Sequence, residues 1–182
     1  MKLKNAQLID ELIEITNQNI QQVQAFKELV DSQLNYKINP SSWSILECIE
    51  HLNFYGDFYL PEIDKQIKRS KHRHGTEYKP GWLGNYFANS MKPKEKLNKM
   101  KTFKEMNPIN SKLTTATLDK FLEQQQKLLV LLEESRKIHL GKTKTAISIS
   151  KMIQLKLGDT LRFFTYHNER HIVQAQKVLK SL

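Results

Sequence analysis

Two histidines one helical turn apart, in "YHNERHIVQAQ" near the C-terminus, are the residues best placed to do chemistry in this chain. His167 and His171 stand at i and i+4, so on a helix their imidazoles share one side. Phe164, Gln174 and Val178 continue that side, which makes it a core-facing one. A buried imidazole needs a hydrogen-bond partner or a metal, because desolvating it unpaired is costly. The spacing therefore points to a divalent cation, with hydrogen-bonded core histidines as the alternative. Glu169 does not make the pair a protease motif. It follows His167 by two residues, about 200° round the helix, whereas the metalloprotease general base follows by one.

Two ligands from one helix rarely suffice, and a third candidate sits in "WSILECIEHLNFYGDFY". His51 lies in the middle of the oiliest helical segment, with Cys48 at −3 and Tyr55 at +4. Its depth in that segment is similar to the depth of the His167/His171 pair from the end of the last one. Antiparallel neighbours would bring the three to one level, and a parallel arrangement would also nearly match. Three neutral imidazoles leave coordination positions open, as catalytic rather than structural sites do. Zn²⁺, Ni²⁺ or Fe²⁺ would accept such a set. An ion held this way can bring the pKa of bound water to about 7 or hold a thiol as its thiolate.

Other residues near these histidines carry two readings each. Cys48 is read as a small buried apolar residue rather than a further ligand. Arg170 could reach a substrate carboxylate or make a surface ion pair. Gln174, one turn beyond His171, could line a pocket or orient a ligand. Glu47 is read as a helix-start acid, with support of an imidazole as the alternative. Tyr55 and Trp82 are read as core or pocket wall. His72, His74 and His139 fall near helix ends, where cations are welcome, and are read as structural.

The elements that must position these residues follow from apolar periodicity. A first helix is expected from Leu3 to Leu34, with Ile9, Ile13, Ile20, Val23, Val30 and Leu34 on one face. Asn39-Pro40-Ser41-Ser42 breaks it, and Ser41 or Ser42 can cap a second helix from Trp43 into the low seventies. Pro61 should kink that helix or end it early, and Gly75 can take its C-terminal cap. Residues 76–113 read as a long connection, turn-rich at "KPGWLGNYF" and with a short basic helix bounded by Pro93 and Pro108. A third helix is expected over Thr117–Leu140, ended by Gly141, with Leu118, Leu122, Gln125, Leu129 and Leu132 on its face. An irregular stretch follows, and Asp159 is a good N-cap for a last helix over Thr160–Lys180. No strand-rich region or repeat is visible. The sum is an all-α four-helix bundle with a long crossover between helices 2 and 3.

Composition narrows the function. At 182 residues, 39% of them hydrophobic and spread along the whole chain, this reads as one folded domain, 1–182. No apolar run suggests a leader or a membrane span, and the single cysteine excludes a disulfide framework, so a cytoplasmic protein is expected. The net charge of +10 resides in residues 65–104, which hold twelve Lys or Arg against Glu77 and Glu95. One basic segment on a neutral body argues against a nucleic-acid binder, whose charge would run along a face. It suits a solvated surface, or a rim attracting an anionic cosubstrate.

Taken together, "WSILECIEHL", the crossover with "KMKTFKEMNP" and "LGDTLRFFTYHNERHIVQAQKVL" resemble the DinB-like superfamily over nearly the whole chain. The most specific parts are W-x7-H-L in the second helix and H-x-x-x-H near the C-terminus. The resemblance implies an up-down-down-up bundle with metal ligands at His51, His167 and His171. It implies Zn or Ni as the metal, and in some members bacillithiol or mycothiol as a cosubstrate that attacks small electrophiles. The expected function is thus a metal-dependent thiol S-transferase acting on a small-molecule thiol and an electrophile. Arg170 and Gln174 are the candidates for holding the cosubstrate. The alternatives are a metal-dependent hydrolase, weakened by the lack of a separate general base, and a non-catalytic metal-binding protein whose basic crossover meets anionic partners. Family members are often homodimers, although no heptad seam marks a dimer face here.

Overall fold

The structure, a computed structural model, describes residues 2–72, 75–93, 101–148 and 150–182. In chain order its elements are β1 (Leu3–Lys4), α1 (Asn5–Phe26), α2 (Asp31–Leu34), α3 (Ile45–Arg69), β2 (Glu77–Tyr78), α4 (Trp82–Met91), α5 (Ala116–Ser135), β3 (Lys144–Ile147), β4 (Ser150–Lys156) and α6 (Leu157–Leu179). Helices α1, α3, α5 and α6 form the bundle, with α3 touching α5 and α6, and α1 touching the same two.

Side-chain contacts give the helix directions. Lys27 meets Asp119 while Asp10 meets Arg136, so α1 and α5 are antiparallel. Asn53 meets Thr117 while Asp57 meets Lys120, so α3 and α5 are parallel. Glu11 meets Tyr166 while Gln22 meets Gln176, so α1 and α6 are parallel. His51 meets His167 while Tyr59 meets Phe163, so α3 and α6 are antiparallel. The bundle is up-down-down-up, and the long crossover exists because two parallel neighbours, α3 and α5, must be joined end to start.

Ser44 starts α3. Its hydroxyl accepts from Glu47 N (3.2 Å), and the Glu47 carboxylate accepts from Ser44 N (2.9 Å), a reciprocal cap that supplies two otherwise orphan N–H groups. Ser41 and Ser42 instead bond to Asn39 in the preceding turn. Pro61 neither ends α3 nor caps it. The helix continues to Arg69 because Leu60, Ile63 and Ile67 keep its buried face in the core. Its C-cap is Ser70, so Gly75 plays no such part.

Several expected boundaries move. The first helix stops at Phe26 with no breaker residue: Lys27, Glu28 and Leu29 tighten into i to i−3 bonds, and Val30 turns extended and exposed before the short α2. The third helix ends at Ser135 by the same tightening at Arg136, Lys137 and Ile138, and its buried face runs through Phe121 and Leu128 rather than Leu122 and Leu129. From Trp82 onward the "KPGWLGNYF" stretch is helical, in α4, which packs along α6. Gly84 permits that packing, because a Cβ there would lie 2.5 Å from the Cβ of Asp159. Of the expected basic helix, residues 94–100 lie outside the described residues, and Lys104–Met106 form only a 3-10 turn. The stretch after α5 is an antiparallel hairpin, β3–β4, with Thr145 and Ile147 buried in alternation. It runs directly into α6, so the N-cap is Lys156 and not Asp159. Asp159 is instead buried and accepts from Gly81 N at 2.8 Å.

Two apolar clusters fill the bundle. One contains Leu8, Leu12, Tyr59, Ile63, Leu128 and Phe164. The other contains Val23, Phe26, Ile49, Phe121, Ile172 and Ala175. On every bundle helix a buried polar stretch separates the two: Thr16 and Asn19 on α1, His51 and Asn53 on α3, Gln124 and Gln125 on α5, His167 and Asn168 on α6. Part of this layer is tied together, with Asn168 donating to Gln125 Oε1 (3.2 Å) and Gln124 donating to the Asn53 carbonyl (3.2 Å). Among the described residues no helix is long and apolar enough to cross a membrane.

Candidate metal centre

The polar layer is where His51 of α3 meets His167 and His171 of α6. One ring nitrogen from each lies within 4.8 Å of the other two. His51 Nε2 and His167 Nε2 are 3.2 Å apart. Two nitrogens bound to one tetrahedral ion at about 2.0–2.1 Å would be about 3.3 Å apart, so this separation matches that of co-ligands. His51 and His167 are buried and His171 is half-buried.

Hydrogen bonds set the tautomers. His51 Nδ1 donates to the Met106 carbonyl at 2.6 Å, which leaves Nε2 with its lone pair. His171 Nδ1 donates to Gln174 Oε1 at 2.9 Å, with the same result. His167 Nδ1 is buried with no hydrogen-bond partner. All three rings are neutral near pH 7. Burial brings the pKa of His51 down to about 4, against a smaller opposing effect of the Met106 carbonyl. Burial takes His167 well below the usual range, helped by the charges of His171, His51 and Arg170. His171 is also lowered well below the usual range, by burial first and then by His51 and Arg170, against a smaller opposing effect of its hydrogen bond to Gln174. Neutral His51 and His171 with their Nε2 lone pairs free, and the neutral His167 beside them, are a donor set a borderline divalent cation takes, and the residues present fit such an ion.

Aromatic side chains wall the centre. Trp43 packs against His51 (ring centroids 4.8 Å) and His171 (5.7 Å), and its Nε1 donates to Asn107 Oδ1. Tyr55 lies 4.4 Å from His167, and Phe163 stacks on the same ring with an interplanar angle of 7°. The tyrosine pKa rises to about 12 through burial, so Tyr55 does not serve as a base.

The remaining candidates sort themselves. Gln174 stands behind His171 as its hydrogen-bond acceptor. Arg170 is buried, and its charge is felt by His167 and His171. Cys48 is fully buried in the second apolar cluster and outside the histidine group. Glu47 completes the cap of α3, pairs with Lys37 at 2.7 Å and accepts from Asn110 N, so it holds the end of the crossover rather than an imidazole. Trp82 is corrected: it is 85% exposed, on the outer side of α4, and is neither core nor a wall of this centre. His72 is exposed, His139 accepts from Gly141 N, and His74 lies outside the described residues. Sequence reasoning missed Trp43 and Phe163 as walls, though both stand at helical spacing from the histidines. It could not have found Met106, which acts through its carbonyl.

A four-helix bundle of up-down-down-up order with three histidines facing one another across α3 and α6 defines a class of fold and site. The chain belongs to the DinB superfamily, whose family model matches residues 14–175. Among solved structures it is similar to YfiT from Bacillus subtilis, described as "a probable metal-dependent hydrolase with an unusual four-helix bundle topology". That likeness has a TM-score of 0.58 at 13% identity and covers 95% of this chain and 86% of the other. No curated protein matches the sequence.

Proposed function

We propose that His51, His167 and His171 ligate one divalent cation, Zn²⁺ or Ni²⁺, and that the protein is a metal-dependent thiol S-transferase. The observation carrying this reading is the 3.2 Å approach of two neutral imidazole nitrogens from helices α3 and α6. The cation would supply a low pKa for a bound thiol or water. Met106 and Gln174 keep the Nδ1 protons of His51 and His171 away from it. Trp43, Tyr55 and Phe163 exclude water around the reacting atoms and offer flat apolar walls to a small electrophile. Arg170 places a positive charge beside His167 and His171 that favours an anionic thiol, of which bacillithiol is the one the family implies.

Thiol transfer is preferred to hydrolysis because water attack gains from a separate general base. Glu47 is engaged by Lys37 and Asn110, and Glu50 accepts from Asn53. Hydrolysis remains the second reading, favoured by the description given to YfiT. The test is metal content of tag-free protein, wild type and His51→Ala, followed by bacillithiol consumption with a chlorinated aromatic electrophile. Stoichiometric metal lost in the variant, with metal-dependent thiol conjugation, supports the proposal. Metal-independent conjugation, or metal retained in His51→Ala, overturns it. Metal-dependent ester cleavage without conjugation transfers the assignment to the hydrolase.

A further inference from the structure

A cavity lies away from the histidines, between the N-terminus of α1, helix α4 and the first half of α6. Its volume is about 500 Å³, in the range of small-molecule sites. It shares none of its lining with the rings around the metal centre.

Its floor is Arg162, whose side chain is buried and lies 3.7 Å from Asp159. The guanidinium donates to Asn85 Oδ1 at 3.0 Å and to Asn89 Oδ1 at 3.2 Å. An arginine has no acceptor, so these contacts fix both carboxamides with oxygen towards Arg162 and Nδ2 away from it. Asn85 and Asn89 are one turn apart on α4, and both line the cavity. Their free ends are therefore donors.

The charged groups in the rest of the lining are mostly cationic. Lys4, Lys79 and Lys92 add three ammonium groups, and among the described residues no carboxylate pairs with Lys4 or Lys79. The single lining acid, Glu11, already accepts from the Tyr166 hydroxyl at 2.7 Å and lies 3.9 Å from Lys92. Trp82 gives the wall its flat surface, 85% exposed although tryptophan is on average highly buried. A hollow of fixed donors with an open indole beside it is complementary to an anion that carries a planar ring.

We propose that this cavity binds a small organic anion of mononucleotide size, its anionic group held by Asn85, Asn89 and the lysines, its ring on Trp82. The test uses the full-length protein with chelator present, so that the metal centre plays no part. Adenosine monophosphate is titrated while tryptophan fluorescence is followed, with Trp82→Phe separating the signal from that of Trp43. Quenching that saturates below about 10 mM is expected, with adenosine binding about tenfold more weakly and inorganic phosphate displacing the nucleotide. Asn85→Asp keeps an acceptor for Arg162, so the helix contact survives while the donor becomes a negative charge. It should weaken binding by about tenfold or more, and Lys79→Ala, on the surface, by a few fold. No saturation, adenosine binding as tightly as its monophosphate, or unchanged affinity in both Asn85→Asp and Lys79→Ala would overturn the proposal.

Discussion

Gln174 offers a sharp test of how the centre is organised. Its Oε1 accepts the Nδ1 proton of His171 at 2.9 Å and so commits the other nitrogen to the shared space. Leucine has nearly the volume of glutamine and the position is half-buried, so Gln174→Leu removes the acceptor without opening a cavity. The stranded N–H costs the metal-free fold about 1 kcal/mol. Metal binding suffers more, because His171 loses both its fixed tautomer and the polarisation that makes Nε2 basic. Loss of such a partner weakens metal affinity by about 10- to 100-fold, or about 1.4–2.8 kcal/mol. Gln174→Glu should move the other way, since a carboxylate strengthens the hydrogen bond and the ligand. The assay is competition for Zn²⁺ with a chromophoric chelator at pH 7.5, alongside urea unfolding with and without metal. Affinity in Gln174→Leu within about twofold of wild type, or shifts of the same sign in both variants, would refute the reasoning.

Glu47→Ala should cost about 3 kcal/mol in urea unfolding, since it removes the carboxylate half of the reciprocal cap of α3 and a buried carboxylate paired with Lys37; a loss below about 1 kcal/mol would contradict this. Burial pushes the Cys48 thiol far above its ordinary range, so in native protein it should not react with an aromatic disulfide reagent, while urea should expose one thiol per chain. Acid should destabilise the metal-free protein. The folded His51 ring titrates at about 4 against 6.5 when unfolded, and His167 and His171 shift the same way. The unfolded chain then takes up protons that the folded chain refuses. Stability is complete above the unfolded value and is lost as pH falls towards 4, with His51 alone accounting for ~3 kcal/mol. A urea midpoint that stays level from pH 7.5 to pH 5 in chelator would count against it.

The bundle was legible because its faces are strongly periodic, and the family through the Trp43–His51 spacing and the last-helix pair. What periodicity lacks is direction. The depth of the histidines in their helices left open whether α3 and α6 run parallel or antiparallel; the resemblance implied antiparallel, as His51 beside His167 and Tyr59 beside Phe163 show. Helix α4 was hidden by Gly81 and Gly84, which read as turn residues although Gly84 serves helix contact. The β3–β4 hairpin was hidden because lysines and serines interrupt its short apolar alternation at Thr145 and Ile147. Two helix ends were missed because the stops at Phe26 and Ser135 are made by backbone tightening, with no glycine or proline to announce them.

The amides and imidazoles at mid-height limit how the helices can slide on one another. Moving α6 by one turn along α3 would pull His167 from His51 and Asn168 from Gln125. Each donor or acceptor stranded in that way costs about 1–3 kcal/mol, whereas an oily interior would tolerate the slip far better. Replacing Asn168 and Gln125 together by apolar residues, so that neither partner is stranded, would thus be expected to yield a tougher bundle with a less unique alignment, which is where a cation site could least tolerate freedom.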